Sequence, residues 1–335
     1  MTTDRARPSV RVRWLPILFA FLVLAGGAGC ESGSRSSNDF RVAVLLTGPV
    51  SDDGWNQSAW EGVLAIRDQL GAKVSKVESL DKSQFEENLR QFAAQGTRLV
   101  FAHAYEFQDA TLRVAAEFPQ TTFVVIAGDR AAANVGAVHF TLEQATYVLG
   151  ALAARLSEAP VVGLIGGEEI PSLVPGFRGF ANGARSVRPD IRVVTKYVGN
   201  WHDVTLAREL AEALVAQGAD FIFQNADRAG LGVFQAAAAH EGVWAFGSNK
   251  DQADVVPGAV YASAVLDVPT AYLAIARQVK DGVYRPAATS MGVAEGVVRV
   301  ALAPEVSASL DRETKEFVAD LEARIADGRV DVLAR

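Results

Sequence analysis

The 335-residue chain is poor in the residues that build metal, redox and disulfide chemistry: one cysteine, two methionines and four histidines. A single cysteine closes no internal disulfide and supplies no thiolate zinc cluster. His103, His139, His202 and His240 are scattered, without the spacing of a shared metal site or an H-E-x-x-H helix. No G-x-x-x-x-G-K-S/T loop and no G-x-S-x-G elbow occurs. The cluster Gly163-Leu164-Ile165-Gly166-Gly167 lacks the G-x-G-x-x-G spacing that brings backbone against a pyrophosphate, so no cofactor is expected. Basic residues are outnumbered by acids, 32 to 39, for a net charge of −7. A surface of that sign gives phosphate backbones little to bind, and nucleic acid is not an expected partner. What is abundant is apolar sequence, 50% of the chain, and its length suits two domains of ~100–200 residues each with its own core.

Part of the apolar excess belongs to the N-terminus. Arg5, Arg7, Arg11 and Arg13 precede an apolar run from Trp14 to Leu24, followed by Ala25-Gly26-Gly27-Ala28-Gly29-Cys30. The run falls short of the ~20 apolar residues of a membrane span, and its order of charge, apolar core and small residues is that of an export signal. A polar, serine-rich stretch from Glu31 to Asp39 then reads as a flexible tether. The arrangement resembles a bacterial lipoprotein signal, with Gly27 where leucine is usual and Ala28 and Gly29 in keeping. That resemblance implies cleavage after residue 29, lipidation of Cys30, and attachment of an exported chain to the cell membrane. Loss of residues 1–29 removes four arginines and Asp4, taking the net charge from −7 to −10.

Beyond residue 39 the chain alternates strand and helix patterns. Phe40 to Leu46 is a bulky run suited to a strand buried on both faces, and Ala59, Trp60, Val63, Leu64, Ile66 and Leu70 recur at helical spacing up to Gly71. Lys73 to Val77, Leu99 to Ala102 and Thr122 to Ile126 read as further strands, with helices from about Asp81 to Gly96 and from about Phe107 to Glu117. The second half repeats the plan at an offset of 122 residues: Asp81 matches Asp203, Ala94-Gln95-Gly96 matches Ala216-Gln217-Gly218, and Phe101 matches Phe223. Strands at Val161 to Leu164, Ile191 to Val198, Phe221 to Gln224 and Val243 to Phe246 alternate with helices near 172–187, 203–217 and 229–240. The expected fold is α/β, two Rossmann-like lobes with parallel sheets and a ligand cleft between them. The N-terminal lobe is expected from 40–142 plus about 265–290, and the C-terminal lobe from 143–264 plus about 291–335. Short joins are expected near Thr141-Leu142-Glu143 and Ala262-Ser263-Ala264. Open α/β sheets bind ligands at the carboxyl ends of their strands.

The strand ends are aromatic and polar. Gly48 to Ser58 places Trp55 at a helix start; Gly199-Asn200-Trp201-His202-Asp203 places a second indole at a strand end of the other lobe. Two indoles from opposite lobes suit a planar ligand, each stack contributing ~1 kcal/mol beyond burial. Trp60 falls on the apolar face of its helix and reads as core. Tyr105 and Asp109 follow the third strand, Asp129 the fourth, and Phe246 to Gln252 supplies a dense set of donors and acceptors. Either aspartate equally suits a cap on the adjacent helix or turn. No nucleophile–base pair stands out, so binding fits better than catalysis.

Taken together, Asp52-Asp53-Gly54-Trp55-Asn56-Gln57-Ser58-Ala59-Trp60-Glu61-Gly62, Asn134-Val135, Tyr197 to Asp203, Gly218-Ala219-Asp220 and Gly247-Ser248-Asn249-Lys250-Asp251-Gln252 resemble the basic membrane protein (Bmp) family of ABC-transporter substrate-binding lipoproteins, which includes purine nucleoside receptors. The resemblance runs from about Phe40 to the C-terminal helix and implies a type I periplasmic-binding-protein fold. It puts Trp55 and Trp201 where the family has base-stacking aromatics, usually Phe, and Asn56 beside the first stack. Asp109, or alternatively Asp129, matches the acid that reads the base edge. Asn249 stands where nucleoside receptors carry a ribose-gripping Asp, and Lys250 and Gln252 continue that motif. With Tyr105 and Asp53 these form the expected ligand-binding set. The implied function is a non-enzymatic, monomeric, lipid-anchored receptor that passes a nucleoside-like ligand to an ABC permease. Two other readings remain open: a nucleoside-cleaving hydrolase using Asp109 or Asp129 with His202, and a sensor that presents its closed form to a signalling partner.

Overall fold

Along Arg41–Leu46, side chains alternate between two faces, and Val42 to Leu46 are all buried. Both faces of the strand are therefore covered, as in a parallel sheet sandwiched by helices. The computed structural model describes residues 40–52 and 54–334. The export signal, Cys30, the tether and Asp53 lie outside the described residues.

The first half of the chain forms β1 (Arg41–Leu46), α1 (Trp55–Leu70), β2 (Lys73–Glu78), α2 (Phe85–Ala94), β3 (Leu99–His103), α3 (Gln108–Ala115), β4 (Thr122–Ile126) and β5 (Val135–Phe140). The second half forms α4 (Leu142–Leu156), β6 (Val161–Gly166), α5 (Val174–Val187), β7 (Arg192–Tyr197), α6 (Val204–Val215), β8 (Ala219–Asn225), α7 (Gly230–Ala239), β9 (Trp244–Asn249) and β10 (Val260–Leu266). The chain ends with α8 (Val268–Lys280), β11 (Ala288–Met291), β12 (Val298–Leu302), α9 (Pro304–Ser309) and α10 (Arg312–Ala326).

Two six-stranded sheets result, in the orders β11-β5-β4-β3-β1-β2 and β12-β10-β9-β8-β6-β7. Five successive strands of each half thus take the same spatial order, and only β12 pairs antiparallel. The 122-residue offset has local physical causes. Asp81 and Asp203 each cap a helical turn, accepting from the backbone N–H of Ser83 and of Leu206. Gly96 and Gly218 end the following helices at φ 76° and 92°, a left-handed conformation that a Cβ disfavours. Phe101 and Phe223 are fully buried in β3 and β8.

Val42, Val44 and Leu46 point into a core shared with Val162, Leu164 and Phe223 of the second sheet. Ala43 and Leu45 face a separate cluster under α2 and α3, and Ile165 and Ile222 face one under α6 and α7. The chain passes between lobes after β5, after β10 and between β11 and β12. One expected join is displaced. Ala262-Ser263-Ala264 is interior to β10, paired with both β9 and β12 and buried, because small side chains there let α4 lie close over the sheet. The crossing comes at Asp267, whose carboxylate caps α8. The fifth strand of each lobe, β5 and β10, was not evident from periodicity, since glycine, alanine and serine interrupt the apolar run.

Candidate ligand-binding site

The carboxyl ends of both sheets open onto one cavity of about 540 Å³, within the range of small-molecule sites. Thr47, Ser79, Ala104 and Ala127 line it directly after β1, β2, β3 and β4, and Asn225 and Asn249 line it at the ends of β8 and β9. Among the described residues, three non-glycine residues have positive φ: Ala127 (59°), Asp227 (48°) and Asn249 (66°). All three line this cavity. Left-handed backbone is rare for residues with a Cβ and is best tolerated by Asp and Asn, so the unusual backbone of the fold is concentrated where the ligand would sit.

On the N-terminal wall, the buried Asp52 carboxylate accepts from the backbone N–H of Gly54 (3.1 Å), Asn56 (2.8 Å) and Gln57 (3.0 Å) and from the Asn56 side chain (2.9 Å). These donors are the exposed N–H groups of the α1 start, which a carboxylate stabilises. Asn56 Oδ1 accepts from the Thr47 N–H, tying α1 to the end of β1. Trp55 also lines the cavity, and one face of its indole lies on His103, with ring centroids 3.9 Å apart. Its Nε1–H donates to the His103 carbonyl, and His103 Nε2–H donates to the Trp55 carbonyl. Nδ1 is then free to accept from the Tyr272 hydroxyl at 2.7 Å. Burial pushes the His103 imidazole down to about 3, opposed only in part by its bond to Trp55, so the ring is neutral at pH 7.

On the C-terminal wall, Trp201 is half-buried against Gly167, just beyond β6. A Cβ on Gly167 would stand 2.2 Å from the indole, so glycine makes the slot that the ring occupies. Asn200 Oδ1 accepts from the N–H groups of His202 and Asp203, holding the turn.

Matching short 3-10 turns follow β3 and β8: Tyr105–Phe107 and Asp227–Ala229. Tyr105 and Glu106 line one side of the cavity, and Asp227 and Arg228 line the other at the same 122-residue offset. Asp227 was not anticipated, although the offset from Tyr105 points to it. Its carboxyl is pushed up to about 8, first by burial and then by the charges of Asp52 and Glu106.

Of the expected binding residues, Trp55, Asn56, Tyr105, Trp201 and Asn249 line the cavity. Asp109 and Asp129 do not. Both are exposed; Asp109 pairs with Arg130 and Asp129 accepts from Gln108. Asp109 leaves with the first turn of α3 and Asp129 is tied to Gln108 in the loop after β4, so the hydrolase reading loses these two acids while His202 remains on the wall. Gln252 is buried behind the wall, its Oε1 accepting from Ser248 N–H and Gln224 Nε2–H. Lys250 turns outward and bridges the lobes, donating to Gln57 Oε1 and Glu61 Oε1 of α1, each at 2.9 Å. Trp60 is half-buried on the lobe surface beneath Lys76. Asn134 ties a loop by donating to three backbone carbonyls. Asp53 lies outside the described residues.

Comparison with known proteins agrees with this architecture. The family model for ABC transporter substrate-binding proteins of PnrA-like type (Bmp) matches residues 40–334. A purine-binding protein of Brucella abortus is 29% identical over 92% of this chain and 88% of its own length. The ABC transporter nucleoside-binding protein BmpA of Lactococcus lactis is 28% identical over 91% and 94%. An ABC transporter solute-binding protein from Aeropyrum pernix superposes with a TM-score of 0.78 at 21% identity, over 87% of this chain and 92% of that one. Two parallel α/β lobes of the type I solute-binding architecture, a cavity at their strand ends and a family match across nearly all of the described chain agree: the protein belongs to the Bmp (PnrA-like) family of ABC transporter substrate-binding proteins.

Proposed function

We propose that the chain captures a purine nucleoside or a related planar heteroaromatic compound between its lobes and delivers it to the permease of an ABC importer, held at the membrane by a lipid on Cys30. The reading is carried by the presence of one indole from each lobe, Trp55 and Trp201, on the wall of a single cavity. A planar ligand that touches both gains more contact when the lobes close, and its differential affinity for the closed state shifts the population toward the form a permease recognises. The purine- and nucleoside-binding relatives support the ligand class. Binding without turnover is expected, since Asp109 and Asp129, the two acids the hydrolase reading relied on, lie outside the cavity.

The decisive experiment is calorimetric titration of the full chain, purified in detergent, with inosine, guanosine, adenosine, free purines and riboflavin, and product analysis of each mixture. Heat without products is expected; silence with every compound overturns the reading, and turnover replaces it with an enzyme. Trp201→Ala should weaken the binding compound at least about tenfold. Labelled palmitate should enter the full chain and not the Cys30→Ser variant.

A further inference from the structure

We propose that the cavity selects a positively charged planar solute and that Asp227 is the residue that reads the charge. This deepens the reading above, on which it rests, by fixing the charge class of the ligand.

Four acidic side chains line the cavity among the described residues (Asp52, Glu106, Glu168 and Asp227) against two fixed cations, Lys82 and Arg228. Lys82, Arg228 and Glu168 are exposed, whereas Asp52, Glu106 and Asp227 lie deeper. An anionic ligand such as a nucleotide meets a wall of its own sign. The deeper acids differ in how they are satisfied. Asp52 has four donors from its own lobe. No hydrogen bond to the Asp227 carboxyl offsets its burial, and it faces Asp52 and Glu106 across the cleft. A half-buried acid that faces two others is costly to keep charged. That cost falls when a ligand brings a positive charge to it.

The surroundings favour an organic cation over a metal ion. Among the described residues, no group of three or more His, Cys, Asp or Glu side chains is arranged to hold a metal. The wall also carries the Trp55 and Trp201 indoles, whose ring faces attract cations, and Tyr105. Aromatic faces beside a half-buried carboxylate suit a delocalised, weakly hydrated cation.

Proton linkage gives the inference a second signature. Without ligand Asp227 holds its proton up to about 8, and a bound cation requires the carboxylate. Cation affinity therefore rises with pH through that range, whereas a neutral ligand accepting a hydrogen bond from the acid would bind more weakly. Asp52 and Glu106 face Asp227 from the other lobe, and Arg228 adjoins it. His139 and His202 are the cavity's other titratable bases, and their share is separated by the profile of the Asp227→Asn variant.

The test is calorimetry on the full chain in detergent with two matched pairs: nicotinamide riboside, a permanent cation, against its neutral carbon isostere benzamide riboside, and 1-methyladenosine, cationic at neutral pH, against adenosine. The charged member of each pair should bind at least about tenfold more tightly, and nicotinamide riboside should gain about tenfold between about pH 6.5 and about pH 8.5. Asp227→Asn, whose side chain tolerates the left-handed backbone, should reduce the charged-to-neutral preference to within about twofold. Equal or tighter binding of both neutral members overturns the inference and leaves the nucleoside reading standing. Heat from none of the four overturns this inference, and the nucleoside reading is then decided by the inosine, guanosine and free-purine titrations above. Should the variant fail to fold, the pH profile of the unaltered chain decides, and a flat or falling profile for nicotinamide riboside counts against Asp227.

Discussion

On the N-terminal wall of the cavity, Asp52 is saturated by donors and Trp55 is fixed by a stacked, doubly hydrogen-bonded His103. On the C-terminal wall, Asp227 has a left-handed backbone and a half-buried carboxyl with no donor among the described residues, and Trp201 is held by the shape of a glycine slot. The lobes share one strand order, yet their indoles are not equivalent: Trp55 follows β1, whereas Trp201 follows β7, where the repeat places Ser79 in the first lobe. A common fold supplies equivalent positions, and each lobe uses them differently. One wall is built to be rigid before ligand arrives, and the other keeps its polar capacity for the ligand.

The contrast can be tested by removing what satisfies each wall. Asp52→Ala leaves three N–H groups of the α1 start without their acceptor and should cost about 3 kcal/mol in urea unfolding. Asp227→Asn should act with the opposite sign. Because the folded carboxyl is raised to about 8, the unaltered chain loses stability as pH climbs from the ordinary carboxyl range toward that value. The variant's advantage in melting temperature should grow across that window and level off above it. A variant that is less stable than the parent at every pH would remove the distinction between the walls.

A smaller effect is expected from the support of Trp55. His103 is neutral when folded and protonates near 6.5 when unfolded, so its share of stability is present above that value and is lost as pH falls toward about 3. On the order of 2 kcal/mol should be lost by about pH 5, and His103→Phe should lack that part of the slope in urea titrations. An identical slope in the two proteins would assign the acid sensitivity elsewhere. The smallest effect belongs to the bridge between the walls. Lys250 and Glu61 keep part of their surface in water, so Lys250→Met should cost only about 0.5 kcal/mol, read as about twofold weaker ligand binding. A change above about tenfold would make the bridge a principal latch.

Much of the architecture was legible because its causes are local. Caps such as Asp81 and Asp203 act over three residues, Gly96 and Gly218 are set by their own φ, and apolar periodicity reports burial within one element. Trp55 and Trp201 were found because strand ends in such folds meet at one place, which a sequence pattern can mark. Asp109 and Asp129 were misplaced because an acid near a strand end looks the same in sequence whether the segment after the strand turns it toward the cleft or toward solvent. Lys250 and Gln252 sit beside cavity-lining Asn249, yet its left-handed backbone sends one toward the facing lobe and the other behind the wall.

The sequence by itself determined two α/β lobes in one repeat, the family, and the aromatic character of the cleft, since each depends on residue order over short distances. Only the tertiary structure decided which carboxyl groups share the cavity and which of them are satisfied. Asp52, Glu106 and Asp227 come from three separate turns on two lobes, and their mutual field and desolvation exist only when the lobes face one another.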